Sequence, residues 1–245
     1  MKRIGVGPAW WTALVAAAVT VFAGTLAAQD VTVYGTAGVD GNSTNIQLVG
    51  ATARFGGLGI APEVGLQGYH VGYDAGGTVG TQSIWAFVPS AGLSFRAPVG
   101  QVGARVGYSL QSKGPVPVAT GVATGSGVVV SAQGNYWGPG PALQGITSYN
   151  FGSKYTWNEA QALFKLMPMP PGSLSAGPEV VWEGSTRSGG GNALELGPVV
   201  QWASGRNLSV SGGAGWKHYG GSSTQNDTWY AHVGIVKYGI HLGLF

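Results

Sequence analysis

Residues 101–110 read Gln101-Val102-Gly103-Ala104-Arg105-Val106-Gly107-Tyr108-Ser109-Leu110. Val102, Ala104, Val106, Tyr108 and Leu110 fall on one alternation, and Gln101, Gly103, Arg105, Gly107 and Ser109 on the other. Successive side chains of a strand point to opposite faces, so this period of two makes one face apolar and the other polar. Residues 208–217 repeat the pattern, with Leu208, Val210, Gly212, Ala214 and Trp216 set against Ser209, Ser211, Gly213, Gly215 and Lys217. One face of each segment suits lipid and the other water.

The same alternation predicts further strands over Val128–Trp137, Leu143–Phe151, Tyr155–Met167, Leu174–Glu183, Ala193–Trp202 and Trp229–Phe245. Toward the N-terminus it predicts Val31–Val39, Asn45–Phe55, Pro62–Asp74 and Gln82–Arg96, which brings the expected total to twelve. The apolar phase changes near Gly68 and is interrupted at Pro89, and a β-bulge in each segment would restore it. If one of these two regions is a connector, ten strands remain. The junctions alternate as well. Tight turns at Gly56-Gly57-Leu58-Gly59, Ala97-Pro98-Val99-Gly100, Gly138-Pro139-Gly140-Pro141, Pro168–Gly172 and Ala203–Asn207 are interleaved with loops at Asp40–Thr44, Ala75–Gly80, Ser112–Ser126, Gly184–Asn192 and Gly220–Asp227. Gly152-Ser153-Lys154 is a short exception. Short turns on one rim and longer loops on the other, with an even strand count, predict an all-β antiparallel transmembrane β-barrel.

The first residues predict export. Lys2 and Arg3 precede an apolar stretch from Trp10 to Phe22, followed by the small residues Thr25, Ala27 and Ala28. That order is that of a secretory signal peptide cleaved after Ala28, with Ala27 as the alternative position; an uncleaved membrane anchor is the other reading. The expected organisation is therefore a signal peptide at 1–28 and one barrel domain at 29–245. No later apolar run is long enough for a transmembrane helix, which leaves a closed barrel as the means of crossing lipid. Charged residues make up 9% of the chain, apolar residues 44%, and there are 45 glycines, too many for helices in a sequence too apolar for disorder. Without Lys2 and Arg3 the 12 basic residues fall to 10 against 9 acidic ones, so the mature chain is near neutral and shows no nucleic-acid footprint. It has no cysteine, hence neither disulfides nor thiolate metal sites.

Trp137, Tyr149, Phe151, Tyr155, Trp157, Trp182, Trp202, Trp216, Tyr219, Trp229 and Tyr230 fall near predicted strand ends, where amphipathic rings form girdles at the two membrane interfaces. A soluble sandwich would instead place such rings in mid-strand as core. Gly177-Pro178-Glu179-Val180-Val181-Trp182 resembles Gly197-Pro198-Val199-Val200-Gln201-Trp202, each with a proline inside a strand, and shared composition explains the likeness better than duplication does.

Once the apolar rows face lipid, Arg54, Arg105, Glu159, Gln161, Glu179, Glu183, Glu195, Gln201, Lys217, Lys237 and His241 are expected to face the lumen. Charges of both signs there can pair across a restricted, partly wet interior. Catalysis is not expected, because His70, His218, His232 and His241 stand in no nucleophile-activating His-x-Ser pattern. No clustered ligand spacing predicts a metal, and Ser188-Gly189-Gly190-Gly191 lacks the Lys-Ser/Thr of a phosphate loop, so no cofactor is expected.

Together, the exported leader, the Gly-rich alternating strands, the Trp and Tyr near strand ends and a last strand closing on Phe245 resemble the bacterial outer-membrane β-barrel proteins. That resemblance implies outer-membrane lipid and the barrel-insertion machinery as partners. Family members commonly end on an aromatic residue in phase with apolar ones; here Tyr238, Ile240, Leu242 and Leu244 alternate out of phase with Phe245. A weaker resemblance, through Ala176-Gly177-Pro178-Glu179 and Tyr149–Trp157, is to the small BcsS-type proteins associated with bacterial cellulose synthesis. Two functions fit: a narrow passive channel or binding barrel for a small polar solute, or a non-conducting structural barrel, an accessory to exopolysaccharide export. Twelve strands lie between side-chain-filled barrels of about eight and aqueous porins of about sixteen.

Overall fold

A computed structural model describes residues 30–74, 81–112, 125–187, 190–204, 207–221, 223 and 225–240. Residues 1–28, expected as a signal peptide, most of the Ser112–Ser126 loop, His241 and Phe245 lie outside them. Twelve strands form: β1 Asp30–Asp40, β2 Asn45–Arg54, β3 Gly59–Asp74, β4 Thr81–Ala97, β5 Gly100–Gln111, β6 Gly127–Tyr136, β7 Ala142–Asn150, β8 Tyr155–Met169, β9 Gly172–Ser185, β10 Gly191–Ser204, β11 Leu208–Gly221 and β12 Thr228–Ile240. Each pairs antiparallel with its sequence neighbours, and β1 pairs with β12, which closes the barrel. Twelve strands are present and the ten-strand alternative is not. The shortest, β7, has 9 residues and the longest, β4, has 17. A tilted strand needs about 9–11 residues to cross lipid. All twelve are therefore long enough.

The alternation is as the sequence predicts. Val102, Val106, Tyr108 and Leu110 of β5 are exposed on the outer wall, whereas Arg105 and Ser109 are buried inside. Leu93 and Phe95 on β4, Leu196 and Val200 on β10 and Val233 and Ile235 on β12 extend the apolar outer surface. A soluble protein does not leave so continuous an apolar surface uncovered. This is a membrane-spanning barrel of the outer-membrane type.

The predicted bulges lie elsewhere. The β3–β4 register runs without a shift from Gly59↔Arg96 to Asp74↔Thr81, so neither Gly68 nor Pro89 marks a bulge. The phase is blurred because the inner face of β3 and β4 is itself apolar near the loop rim, where Val71, Tyr73 and Ile84 pack with Ile46 and Tyr69. Register shifts occur instead between Lys165 and Met167 on β8 and where Val31 and Val33 of β1 face Ile240 and Lys237 of β12.

The two Gly-Pro segments meet face to face. Pro178 pairs with Pro198, Gly177 with Val199 and Glu179 with Gly197. Each proline lacks an N–H and interrupts the ladder on its far side: the β8–β9 pairing stops at Gln161↔Glu179 and resumes at Phe164↔Ala176, and the β10–β11 pairing skips from Leu196↔Trp216 to Val199↔Gly213. The carbonyl deprived of its proline donor then meets the preceding glycine. A Cβ on Gly177 would overlap Ala162 O, and one on Gly197 would overlap Ala214 O. The sequence likeness is thus one steric solution, used on both sides of a cross-strand pair. The shallow depression these residues leave is on the lipid side; Glu179, which also borders it, turns its carboxylate inward to His232.

Candidate functional site: the lumen charge clusters

Register fixes which side chains share the lumen. Asp30, Arg54 and Glu63 stand opposite one another on β1, β2 and β3, and the same inward row continues through Gly92 to Arg105. This first wall gathers an arginine-rich cluster. Arg54 donates from Nε to Ser94 Oγ at 2.9 Å and from its terminal nitrogens to the carbonyls of Gly56, Gly57 and Gly59 in the β2–β3 turn. Arg105 Nη1 lies 3.4 Å from Glu63 Oε1, a charge contact not aligned as a hydrogen bond, and Nη2 donates to Gln133 at 3.1 Å. Arg96 pairs with Asp30 and donates to Gln101 at 2.9 Å. The Tyr34 phenol fits against β2 because Gly50 has no side chain: a Cβ there would sit 2.5 Å from it.

The second wall, β8–β12 with the top of β1, is rich in carboxylates. Lys217 Nζ lies 2.7 Å from Glu195 Oε1, 2.8 Å from Glu183 Oε1 and 3.6 Å from Asp40 Oδ2. Tyr155 donates to the other oxygen of Glu183, and Tyr219 donates to Asp40 Oδ2 at 2.7 Å. Asp40 also accepts the backbone N–H of Asn42 and Thr44, so one carboxylate caps the first loop and ties β1 to β11 across β12. Below this group, His232 Nε2 meets Glu179 Oε1 at 2.7 Å, and Gln161 bridges Glu179 at 2.5 Å and Glu159 at 2.9 Å. The His232 ring occupies the space that a Cβ on Gly213 would need.

Charge is segregated between the walls. Among the described residues, the first holds Arg54, Arg96 and Arg105 against Asp30 and Glu63, and the second holds Asp40, Glu159, Glu179, Glu183 and Glu195 against Lys217 and His232. In the closed order β3 lies across the barrel from β9, so the two clusters occupy opposite halves. Arg54, Glu63 and Glu179 are 2–3% exposed, although every one is ionisable. Several kcal/mol per ion is the usual cost of such burial, so each group needs the partners described.

Of the sequence-predicted lumen residues, Arg54, Arg105, Glu159, Glu179, Glu195 and Lys217 lie on these inward rows. Lys237 does not. It stands opposite Leu208 and Val33, in the outward phase of Val233 and Ile235, because the β12 bulge reverses the alternation just beyond it, where Gly239 has φ +60°. Trp157 needs the opposite correction. It pairs with Ser148 and Glu183 on the inward row between Tyr155 and Glu159, so it is a lumen residue and not part of a girdle. Tyr149, Trp182, Trp216 and Trp229 face outward near the loop rim and Trp202 near the turn rim, where its indole N–H donates to Met169 O; Trp137 lies just past the end of β6 in the β6–β7 turn, and its indole N–H donates to Pro98 O. Asp40, Glu63, Arg96, Tyr34 and His232 belong to the clusters and escaped the sequence reading, and Tyr155 and Tyr219, expected in a girdle, belong to the lumen clusters instead. Asp40 and His232 are each in phase with inward residues of their own strands; the partners that give them meaning are 177 or more and 53 residues away. Among the described residues no group of His, Asp or Glu is arranged to hold a metal ion.

No family model and no curated protein matches the chain. Solved structures do. An outer membrane channel from Pseudomonas putida F1 aligns over 86% of this chain and 95% of its own, at 12% identity and a TM-score of 0.51. The β domain of the Bordetella autotransporter BrkA covers 84% of this chain and 97% of its own, at 13% identity and a TM-score of 0.50. A KdgM porin aligns over 84% of this chain and 98% of its own, at 9% identity and a TM-score of 0.49. For the channel and the autotransporter domain the likeness at these identities is one of fold, and it agrees with the geometry of a closed antiparallel β-barrel of the outer-membrane type.

Proposed function

We propose that this barrel is a narrow passive channel or binding barrel for a small polar solute, exported through a signal peptide at 1–28 and inserted by the barrel-assembly machinery. The segregation of lumen charge carries the reading. A barrel that only had to be filled could use apolar side chains at no desolvation cost, whereas this lumen buries an arginine-rich wall opposite a carboxylate-rich one. Arg54, Arg105, Glu159, Glu179, Glu195 and Lys217 would then bias the path by charge. Single-channel recording in planar bilayers tests this. In a salt gradient, Glu179→Gln with Glu195→Gln is expected to move the reversal potential toward anions, and Arg105→Gln with Lys217→Gln toward cations, most strongly at low ionic strength where screening is weak. If the parent conducts and neither double variant changes selectivity, these residues do not line the path.

The second reading is a non-conducting structural barrel, an accessory to polysaccharide export. Its supporting observation is that inward-facing Tyr73, Ile84, Leu163 and Val199 are 0–1% exposed, so side chains fill the lumen at those levels. Absence of conductance from heat-modifiable, correctly inserted protein would favour it.

A further inference from the structure

Resting on the reading as a channel or binding barrel, we propose that Asp40, Glu183 and Glu195 form a site for primary ammonium groups of the solute, with Lys217 as its resident cation. A primary ammonium has three N–H donors and no acceptor. Here Nζ of Lys217 faces three carboxylate oxygens from three strands, at 2.7, 2.8 and 3.6 Å. The Tyr219 ring lies 5.2 Å from the same nitrogen, close enough for a cation–π contact. Two of the carboxylates are held by other donors as well: Tyr155 donates to the second oxygen of Glu183, Tyr219 donates to the same Asp40 Oδ2 that faces Lys217, and two backbone N–H groups donate to Asp40 Oδ1. Glu183 and Asp40 therefore keep their positions whichever ammonium they bind.

Charge balance supplies the reason for exchange. Three carboxylates surround one ammonium, so a second positive group enters without creating net positive charge. Lys217 belongs to β11, whereas its partners lie on β9, β10 and β1, and its four-carbon stem is a flexible tether. Passage of an amine-bearing solute then amounts to transfer of the carboxylates from the tethered ammonium to the free one. Guanidinium and quaternary ammonium groups fit less well, the first being planar and the second lacking donors.

The test replaces the tether with a free ligand. In Lys217→Ala the missing atoms are those of n-propylammonium. The purified variant in detergent is expected to unfold at a lower temperature than the parent in the boiled-versus-unboiled gel assay, and n-propylammonium is expected to raise that temperature saturably. Tetramethylammonium and sodium at equal ionic strength should not. Lys217→Ala combined with Glu195→Gln removes one buried negative charge along with the lysine, and provides a folded variant if the single one fails; it too should respond, at higher ligand concentration. Equal effects of tetramethylammonium, no response from a folded variant, or failure of both to fold even in n-propylammonium would overturn the proposal. A conducting parent whose variants ignore n-propylammonium leaves the channel and removes the ammonium site. Variants that bind it while the parent passes no current leave the site and remove the channel.

Discussion

At the residue scale, the outer wall and the lumen make opposite demands on a charge. Val106 sits at mid-strand on β5 and faces lipid, so Val106→Arg is expected to cost about 2–4 kcal/mol. Val210 also faces out, but it is two residues into β11 and level with the rim residue Trp202, which lowers the expected cost of Val210→Arg to about 0–1 kcal/mol. The inward neighbour Ser211 should tolerate Arg better than Val106 does. Urea unfolding in detergent or lipid, with the gel shift as readout, checks all three. Equal costs at Val106 and Ser211 would mean that the pleat phase is misassigned. Lys237 and Trp157 show how such a phase is misread. One lies beside a bulge that reverses the alternation, and the other is an aromatic near a strand end that happens to have inward parity. For Trp157 the phase it shares with Glu159 is the local signal that outweighs its place near a strand end; for Lys237 no local signal marks the bulge.

At the scale of the elements, the β9–β10 hairpin is paired along its whole length, yet each flanking ladder is broken beside a Gly-Pro step. The glycines there are steric requirements. Gly177→Ala and Gly197→Ala should each destabilise the barrel by about 1–3 kcal/mol, because a methyl group would be forced onto the backbone of the adjoining strand. Gly134→Ala is the control, since a Cβ at that position meets only Val102 Cγ1 at 3.6 Å, an ordinary contact. Melting of the three variants side by side decides it; a Gly134→Ala loss as large as that of Gly177→Ala would refute the crowding argument. A similar gap occurs in the β4–β5 ladder at Pro89, where pairing passes from Phe87↔Leu110 to Ser90↔Gly107 without changing register. Proline in these strands removes a donor without adding a residue. That is why the expected bulge at Pro89 is absent.

At the scale of the whole molecule, closure of β1 on β12 satisfies every edge, and the folded barrel should migrate faster unboiled than boiled in detergent gels and fractionate with outer membranes. Recovery as a soluble protein without a heat-dependent shift would remove the membrane assignment. Intact-mass measurement of the exported protein is expected to show a chain beginning at Gln29. By itself the sequence determined the class of fold, the number of strands and the facing of most residues. Those depend on local quantities: a period of two along each strand, and Gly/Pro turns alternating with longer loops. Only the tertiary structure decided where the charges meet. Asp40 and Lys217 are brought together by closure and register, across strands distant in sequence, as are His232 with Glu179 and Arg105 with Glu63. Alternation assigns a side chain to a face but not to a height or a partner. Shear and bulges set the height, and they arise from the pairing of whole strands, so the segregated lumen emerges only when the barrel closes.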